Sequence, residues 1–287
     1  MGRIVYLQWQ KVREFDWRPE PEFLALSFFC TSCWFFVRAF VWRTIVAHFG
    51  RGVPYRESIR IFALSELTRY VPGTVWQYLS RVYLAGRWGV PAPVTVTASL
   101  MDLLLMALAA IPLVLWRIEE VFPLVGRARG ILLVAFPIGA ALLLHPVVLN
   151  RLAQFLLPRF QMQYEPIRIG FAMLCRLWAC YLLLWMAFGA GFVLFARSLA
   201  AIGFSRGLEL ASNYAISWLA GVVSTWFAPG GIGVREGILG LLLAKILPEG
   251  LAFLVAVLSR LWLILLELFW AGVAQLYFRA PLTEGRR

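Results

Sequence analysis

Ile131-Leu132-Leu133-Val134-Ala135-Phe136-Pro137-Ile138-Gly139-Ala140-Ala141-Leu142-Leu143-Leu144 carries no charged or polar side chain. Its polarity does not alternate, as a lipid-facing barrel strand would require. Hydrocarbon offers no water to backbone amides, so such a run must satisfy them internally, as a helix. Working outward, the same character recurs at 23–47, 93–116, 130–149, 170–196, 209–227 and 251–278. A shorter apolar piece occupies 238–247. The 287 residues are 61% hydrophobic and 15% charged, with a mean hydropathy of +0.77. Soluble domains hold about half apolar residues, so these runs read as bilayer spans. The expected fold class is therefore all-α: a polytopic helical membrane bundle of about six to eight spans.

The net charge is +12, almost all from arginine, with Lys11 and Lys245 the only lysines. In a chain with this many spans, basicity reflects the positive-inside rule and anionic lipid heads, so no nucleic-acid partner is expected. The arginine cluster after the first span places that loop in the cytoplasm, although loops on alternating sides carry similar arginine counts. Cys30-Thr31-Ser32-Cys33 has a CxxC spacing but no second ligand pair, and a zinc site needs four ligands. No metal, no cofactor and no catalytic residue is expected. Residues 1–22 mix both charge signs and lack the apolar core of a signal peptide. They read as a charged N-terminal segment ahead of one transmembrane domain, 23–287.

Residues 57–86 are too polar and too broken for a plain span. Within them lies Ser65-Glu66-Leu67-Thr68-Arg69-Tyr70-Val71-Pro72-Gly73-Thr74-Val75-Trp76-Gln77. Pro72 disfavours helix at Val71 and Gly73 permits a turn, so two half-helices are expected to meet there. The second half of the chain repeats the device at Ala228-Pro229-Gly230-Gly231-Ile232-Gly233-Val234-Arg235-Glu236-Gly237. Arginine follows each break, at Arg81 and Arg235. Interrupted segments at matching places in two halves, readable as inverted repeats, point to a transporter site. The freed amides at a half-helix N-terminus also suit a phosphate. The glycines are not a nucleotide fingerprint, which needs a strand before the helix.

Arg38, Asp102, Arg176, Arg235, Glu236, Arg260 and Glu267 fall at membrane depth. Each costs about 2.5–3.5 kcal/mol at the centre of a span. Arg38 and Arg176 lie near span ends and are expected to snorkel. Asp102 is too short for that and needs a partner. Arg260 and Glu267 share a face but stand about 10 Å apart along the axis. Arg260 is therefore expected to pair with Asp102 or Glu236.

The run 65–81, with Arg69, Pro72, Gly73 and Trp76, resembles one signature of the lysylphosphatidylglycerol synthase transmembrane-region family. The segment from Pro229 to Gly237 resembles a second signature, and Ser259-Arg260-Leu261 the family's arginine in the last helix. Asp102 falls where that family tends to carry an acid. The resemblance covers residue 23 to the end and implies a plasma-membrane, flippase-like module for a polar lipid. Family members usually begin with another span, whereas a charged segment comes first here. In bifunctional members a soluble lysine-transferring domain follows. None is read after the last span here, so a stand-alone, non-enzymatic member is expected.

The expected site comprises Arg69, Pro72, Gly73, Arg81, Asp102, Pro229, Gly230, Gly231, Gly233, Arg235, Glu236, Arg260 and Glu267. Its arginines would meet a lipid phosphate, and its acids would balance them or meet a cationic head. No GxxxxGK[ST] loop is present, so movement would be downhill or ion-coupled. Two other readings stay open: a membrane-embedded lipid transferase using Asp102 or Glu236 as a base, and a membrane partner of a glycosyltransferase or envelope enzyme. The lipid's identity and the oligomeric state are left open.

Overall fold

The structure, a computed structural model, describes residues 20–71, 75–121, 128–160, 163–200, 202–225 and 231–277. Four helices are long and apolar enough to cross a membrane: α1 (Pro21–His48), α4 (Ala92–Trp116), α7 (Phe171–Leu199) and α10 (Glu249–Tyr277). Shorter helices are α2 (Tyr55–Leu67), α3 (Trp76–Gly86), α5 (Arg129–Leu143), α6 (Pro146–Leu156), α8 (Gly207–Ser224) and α9 (Val234–Leu243). No strand occurs among the described residues.

Cross-helix bonds fix the directions of the long helices. Ser27 on α1 donates to the Gly191 carbonyl on α7 (2.7 Å), and the Glu20 amide reaches the Ser198 carbonyl (3.1 Å), so α1 and α7 run antiparallel. Tyr181 and Trp185 on α7 reach Asp102 and the Met106 carbonyl on α4, so α4 and α7 run parallel. Trp262 and Trp270 on α10 donate to Ser27 and Ser32 on α1, so these two are parallel. α1 and α7 approach closely at Gly191, where a Cβ would lie 2.6 Å from the Thr31 hydroxyl. Small residues at such crossings let backbones close up where lipid supplies no hydrophobic drive.

We call the face where α1 and α10 end and α4 and α7 begin the lower face. The remaining helices then resolve into three bent elements. α2 runs upward from the lower face, antiparallel to α10, through Arg60 to Gln275 and Arg69 to Glu267. α3 packs back against α2, with Gln77 and Arg81 on Glu66, and returns to the lower face ahead of α4. α8 and α9 make the opposite hairpin. Arg117 at the upper end of α4 pairs with Glu209 at the start of α8, and Gly240 on α9 packs against Phe253 near the upper start of α10. Two hairpins thus enter from opposite faces, as the two interrupted segments led us to expect. Their junctions at Pro72, Gly73, Pro229 and Gly230 lie outside the described residues, as does the charged segment through residue 19.

The third bent element corrects an expected straight span at 130–149. α5 and α6 meet at 74°. The cause is His145-Pro146: a proline cannot donate its amide to the helix before it. Asn150 on α6 is clamped to the Ile167 backbone in both directions (2.9 and 2.8 Å), so α6 turns into the lower-face structure. The helix continues past the end of the apolar run, through Leu156. Four long helices and the bent pair α5–α6 give up to five crossings among the described residues, roughly compatible with the six to eight spans expected, since the two hairpins do not cross.

Because the hairpins return to the face they left, loops do not simply alternate between faces. Arg43, Arg51, Arg56, Arg60, Arg87, Arg151, Arg159 and Arg168 fall toward the lower face. Arg117, Arg129, Arg197, Arg206 and Lys245 fall toward the upper. Among the described residues the basic side chains are more numerous toward the lower face, and the positive-inside rule then leads us to expect that face in the cytoplasm. With the native cysteines replaced by serine, Arg51→Cys and Arg168→Cys should resist an impermeant maleimide in intact cells, and Arg206→Cys should react. Labelling of positions 51 and 206 from the same side would contradict this path.

Candidate functional site

The deepest charges share one level. Arg38 lies ten residues before the end of α1 and Glu267 ten before the end of α10. Asp102 lies ten residues into α4 and Tyr181 ten into α7. All four sit about 15 Å from the lower face at 1.5 Å per residue, near mid-membrane. The hairpin α2–α3 delivers Glu66, Arg69, Tyr70, Gln77 and Arg81 to the same level, and α9 delivers Arg235 and Glu236.

Two groups of charges result. In the first, Arg38 pairs with Asp102 through Nη2 to Oδ2 (2.8 Å) and lies 3.6 Å from Glu66. Arg81 donates to Glu66 (2.8 Å) and to the Ser65 hydroxyl (3.1 Å), and lies 3.8 Å from Asp102. Tyr181 donates to Asp102, and Gln77 to Glu66 (2.7 Å). Both guanidinium groups stack on Phe62, at 4.9 and 4.3 Å from its centroid. Two cations and two anions thereby close on one another, with Arg81 only 1% exposed.

In the second group, Arg69 bridges Glu66 (2.7 Å) and Glu267. The Tyr70 hydroxyl donates to Glu267 (2.9 Å) and accepts from Arg69 (3.0 Å). Arg260 lies 3.8 Å from Glu236 and 5.3 Å from the Tyr70 ring centroid. Arg235 donates to the Tyr214 hydroxyl and stacks on that ring at 4.6 Å. Among the described residues Arg235 has no carboxylate within ion-pair distance.

A cavity of about 130 Å³ lies between the groups, with room for several waters. Its walls include Arg38, Arg69, Arg81, Arg235 and Arg260, against Glu66 and Asp102 as the carboxylates. Gln77 and Tyr78 close it from α3, and Trp218, Gly221 and Thr225 from α8. Residues beside both interrupted segments therefore meet in space. Each hairpin brings one helix N-terminus and one C-terminus to its tip, so the helix dipoles largely cancel there. The guanidinium groups set the sign of the site, rather than the half-helix N-termini expected to do so.

Gly231 and Gly233 serve the backbone. Gly231 has φ +67°, and a Cβ on it would stand 2.7 Å from the Gly221 carbonyl oxygen. Gly233, at φ +89°, is the residue before α9, and its amide donates to Glu236 (2.7 Å). Glu236 thus caps its own helix with one oxygen and faces Arg260 with the other. Of the two partners expected for Arg260, Glu236 is beside it, whereas Asp102 is taken by Arg38.

Arg38 overturns its expected snorkelling role. It is buried, because ten residues of α1 separate it from the lower end and a side chain cannot span 15 Å to water. Arg176, given the same role, is exposed as expected. Glu66, Tyr70, Gln77, Tyr181 and Tyr214 belong to the site but were not singled out from the sequence. Glu66 carried a signal, an acid three residues before Arg69 on a broken apolar element. Tyr181 and Tyr214 carried none.

Asp102→Leu should leave the buried Arg38 with only Glu66, 3.6 Å away and shared with Arg81, and cost about 3–5 kcal/mol of stability. Adding Arg38→Met to Asp102→Leu should recover most of this loss, since Arg81 and Glu66 still balance. Thermal unfolding in detergent checks both. A double variant no more stable than the single one would contradict the pairing.

No curated protein and no solved structure matches the chain. The sequence profile described as the lysylphosphatidylglycerol synthase TM region matches residues 4–270. That match takes in the charged segment and so begins earlier than the expected start at 23. A profile spanning nearly the whole chain, over an all-helical membrane fold, places this protein in the lysylphosphatidylglycerol synthase TM-region family.

Proposed function

We propose that the protein binds a polar lipid by its phosphate in the cavity between the two hairpins and carries it across the bilayer. The observation behind this reading is the cavity wall, five arginines against two carboxylates at mid-membrane. Guanidinium groups match phosphate oxygens in a bidentate fork and hold their charge at any accessible pH. A charge cluster at this depth costs several kcal/mol unless it serves a ligand or a path.

Movement would follow from the arrangement of the hairpins. In transporters built on two interrupted elements the substrate site lies between them, and rocking one against the other exposes it to each leaflet in turn. The lipid's acyl chains stay in the bilayer while only the head needs a polar route. Exposed apolar side chains on α3, such as Leu79 and Tyr83, fit a lipid-facing wall beside that route. A transferase reading draws less support. Asp102 is held by Arg38 and Tyr181, and Glu236 by its own helix amide, which leaves neither carboxylate placed as a general base.

Purified protein in vesicles should speed the transbilayer exchange of fluorescent phospholipids over empty vesicles. Arg69→Gln and Arg260→Gln should each slow that exchange by about tenfold or more, the equivalent of about 1.4 kcal/mol. Exchange no faster than in empty vesicles, with every head group tried, would overturn the proposal.

A further inference from the structure

The cluster holds five arginines, at 38, 69, 81, 235 and 260, and four acids, Glu66, Asp102, Glu236 and Glu267. Its formal balance is one surplus positive charge. The surplus has a place. Arg38 and Arg81 are closed against Asp102 and Glu66. Arg69 is held by Glu267, and Arg260 faces Glu236. Arg235 meets only the neutral Tyr214 hydroxyl and ring among the described residues, although it is 92% buried and lines the cavity. A buried guanidinium left in that state is an anion seat.

Resting on the phosphate-binding reading above, we infer that the site selects lipids whose head group carries a net charge of −1, with Arg235 as the ligand that makes the selection. One phosphodiester without an amine closes the balance to zero. A zwitterionic head brings its own cation into the same cavity and leaves the surplus in place. An aminoacylated phosphatidylglycerol, with two amines on one phosphate, adds to it. A net positive head brought beside a buried surplus cation is the one most strongly rejected of the three. Contact with Tyr214 orients the Arg235 guanidinium and engages Nη2, so its remaining N–H groups serve the phosphate. The Phe188 and Phe192 rings, each 4.7 Å from that of Tyr214, hold the tyrosine in turn.

The test is competition on the full chain. Purified protein is offered equimolar phosphatidylglycerol, phosphatidylethanolamine and lysylphosphatidylglycerol of matched acyl chains, and retained lipid is read by native mass spectrometry. The wild type should retain phosphatidylglycerol over the other two by about tenfold or more. Arg235→Gln should abolish the preference, and Arg235→Lys should keep part of it. Tyr214→Phe, which preserves the ring, should weaken it less than Arg235→Gln. A ratio within one sample does not depend on how much of a variant folds. Equal retention of the three lipids, or more of the lysyl form, would overturn the charge selection while leaving lipid binding intact. Retention of none of them would overturn the underlying reading as well. Displacement of bound lipid by inorganic phosphate at equal concentration would assign the seat to a soluble anion and so overturn it too.

Discussion

The ion-paired group of Arg38, Arg81, Glu66 and Asp102 is the constraint on which the rest of the structure depends. Four charges at mid-membrane are stable only together, since each alone costs about 2.5–3.5 kcal/mol on insertion scales. Their pairing ties α1, α2, α3 and α4 at one level, and Tyr181 brings α7 to the same point. Phe62, in contact with both guanidinium groups, fixes the register of α2 against that centre. The hairpin α2–α3 could not rest at this depth without it, because its polar residues would have no partners in hydrocarbon.

The second hairpin is built differently. α9 begins at Gly233, with Gly231 packed against the Gly221 carbonyl, so backbone closeness holds the tip of α8–α9. Its charges are less completely matched. Glu236 spends one oxygen on its own helix start, and Arg235 rests on an aromatic ring instead of a carboxylate. One hairpin is thus electrostatically closed and the other open, and the cavity lies between them. That asymmetry separates a closed salt-bridge cluster from the proposed anion seat.

Much of this was legible in the sequence for identifiable reasons. Long apolar runs fix helices because hydrocarbon allows little else, and Pro-Gly pairs with nearby arginine mark broken elements. Asp102 announced itself as a short charge with apolar neighbours on both sides. Arg38 does not snorkel as its place in the span suggests, because ten residues of helix put it about 15 Å from the end. The bend at Pro146 was missed because apolar character continues through it, and hydropathy does not register a change of direction. Tyr181 and Tyr214 could not be found, since a tyrosine in an apolar helix looks the same at an interface as beside a buried arginine. Which charges pair is a property of helix order and direction, and no linear pattern encodes it.

The proposed seat for a lipid phosphate is the arginine-lined cavity between hairpins from opposite faces. Cryo-electron microscopy of the protein in phosphatidylglycerol nanodiscs addresses it most directly. The account predicts head-group density between the hairpin tips, with phosphate oxygens within hydrogen-bond distance of Arg235 and with Arg38 still paired to Asp102. Lipid confined to the outer surface, with Arg235 turned onto a carboxylate of its own chain, would contradict it.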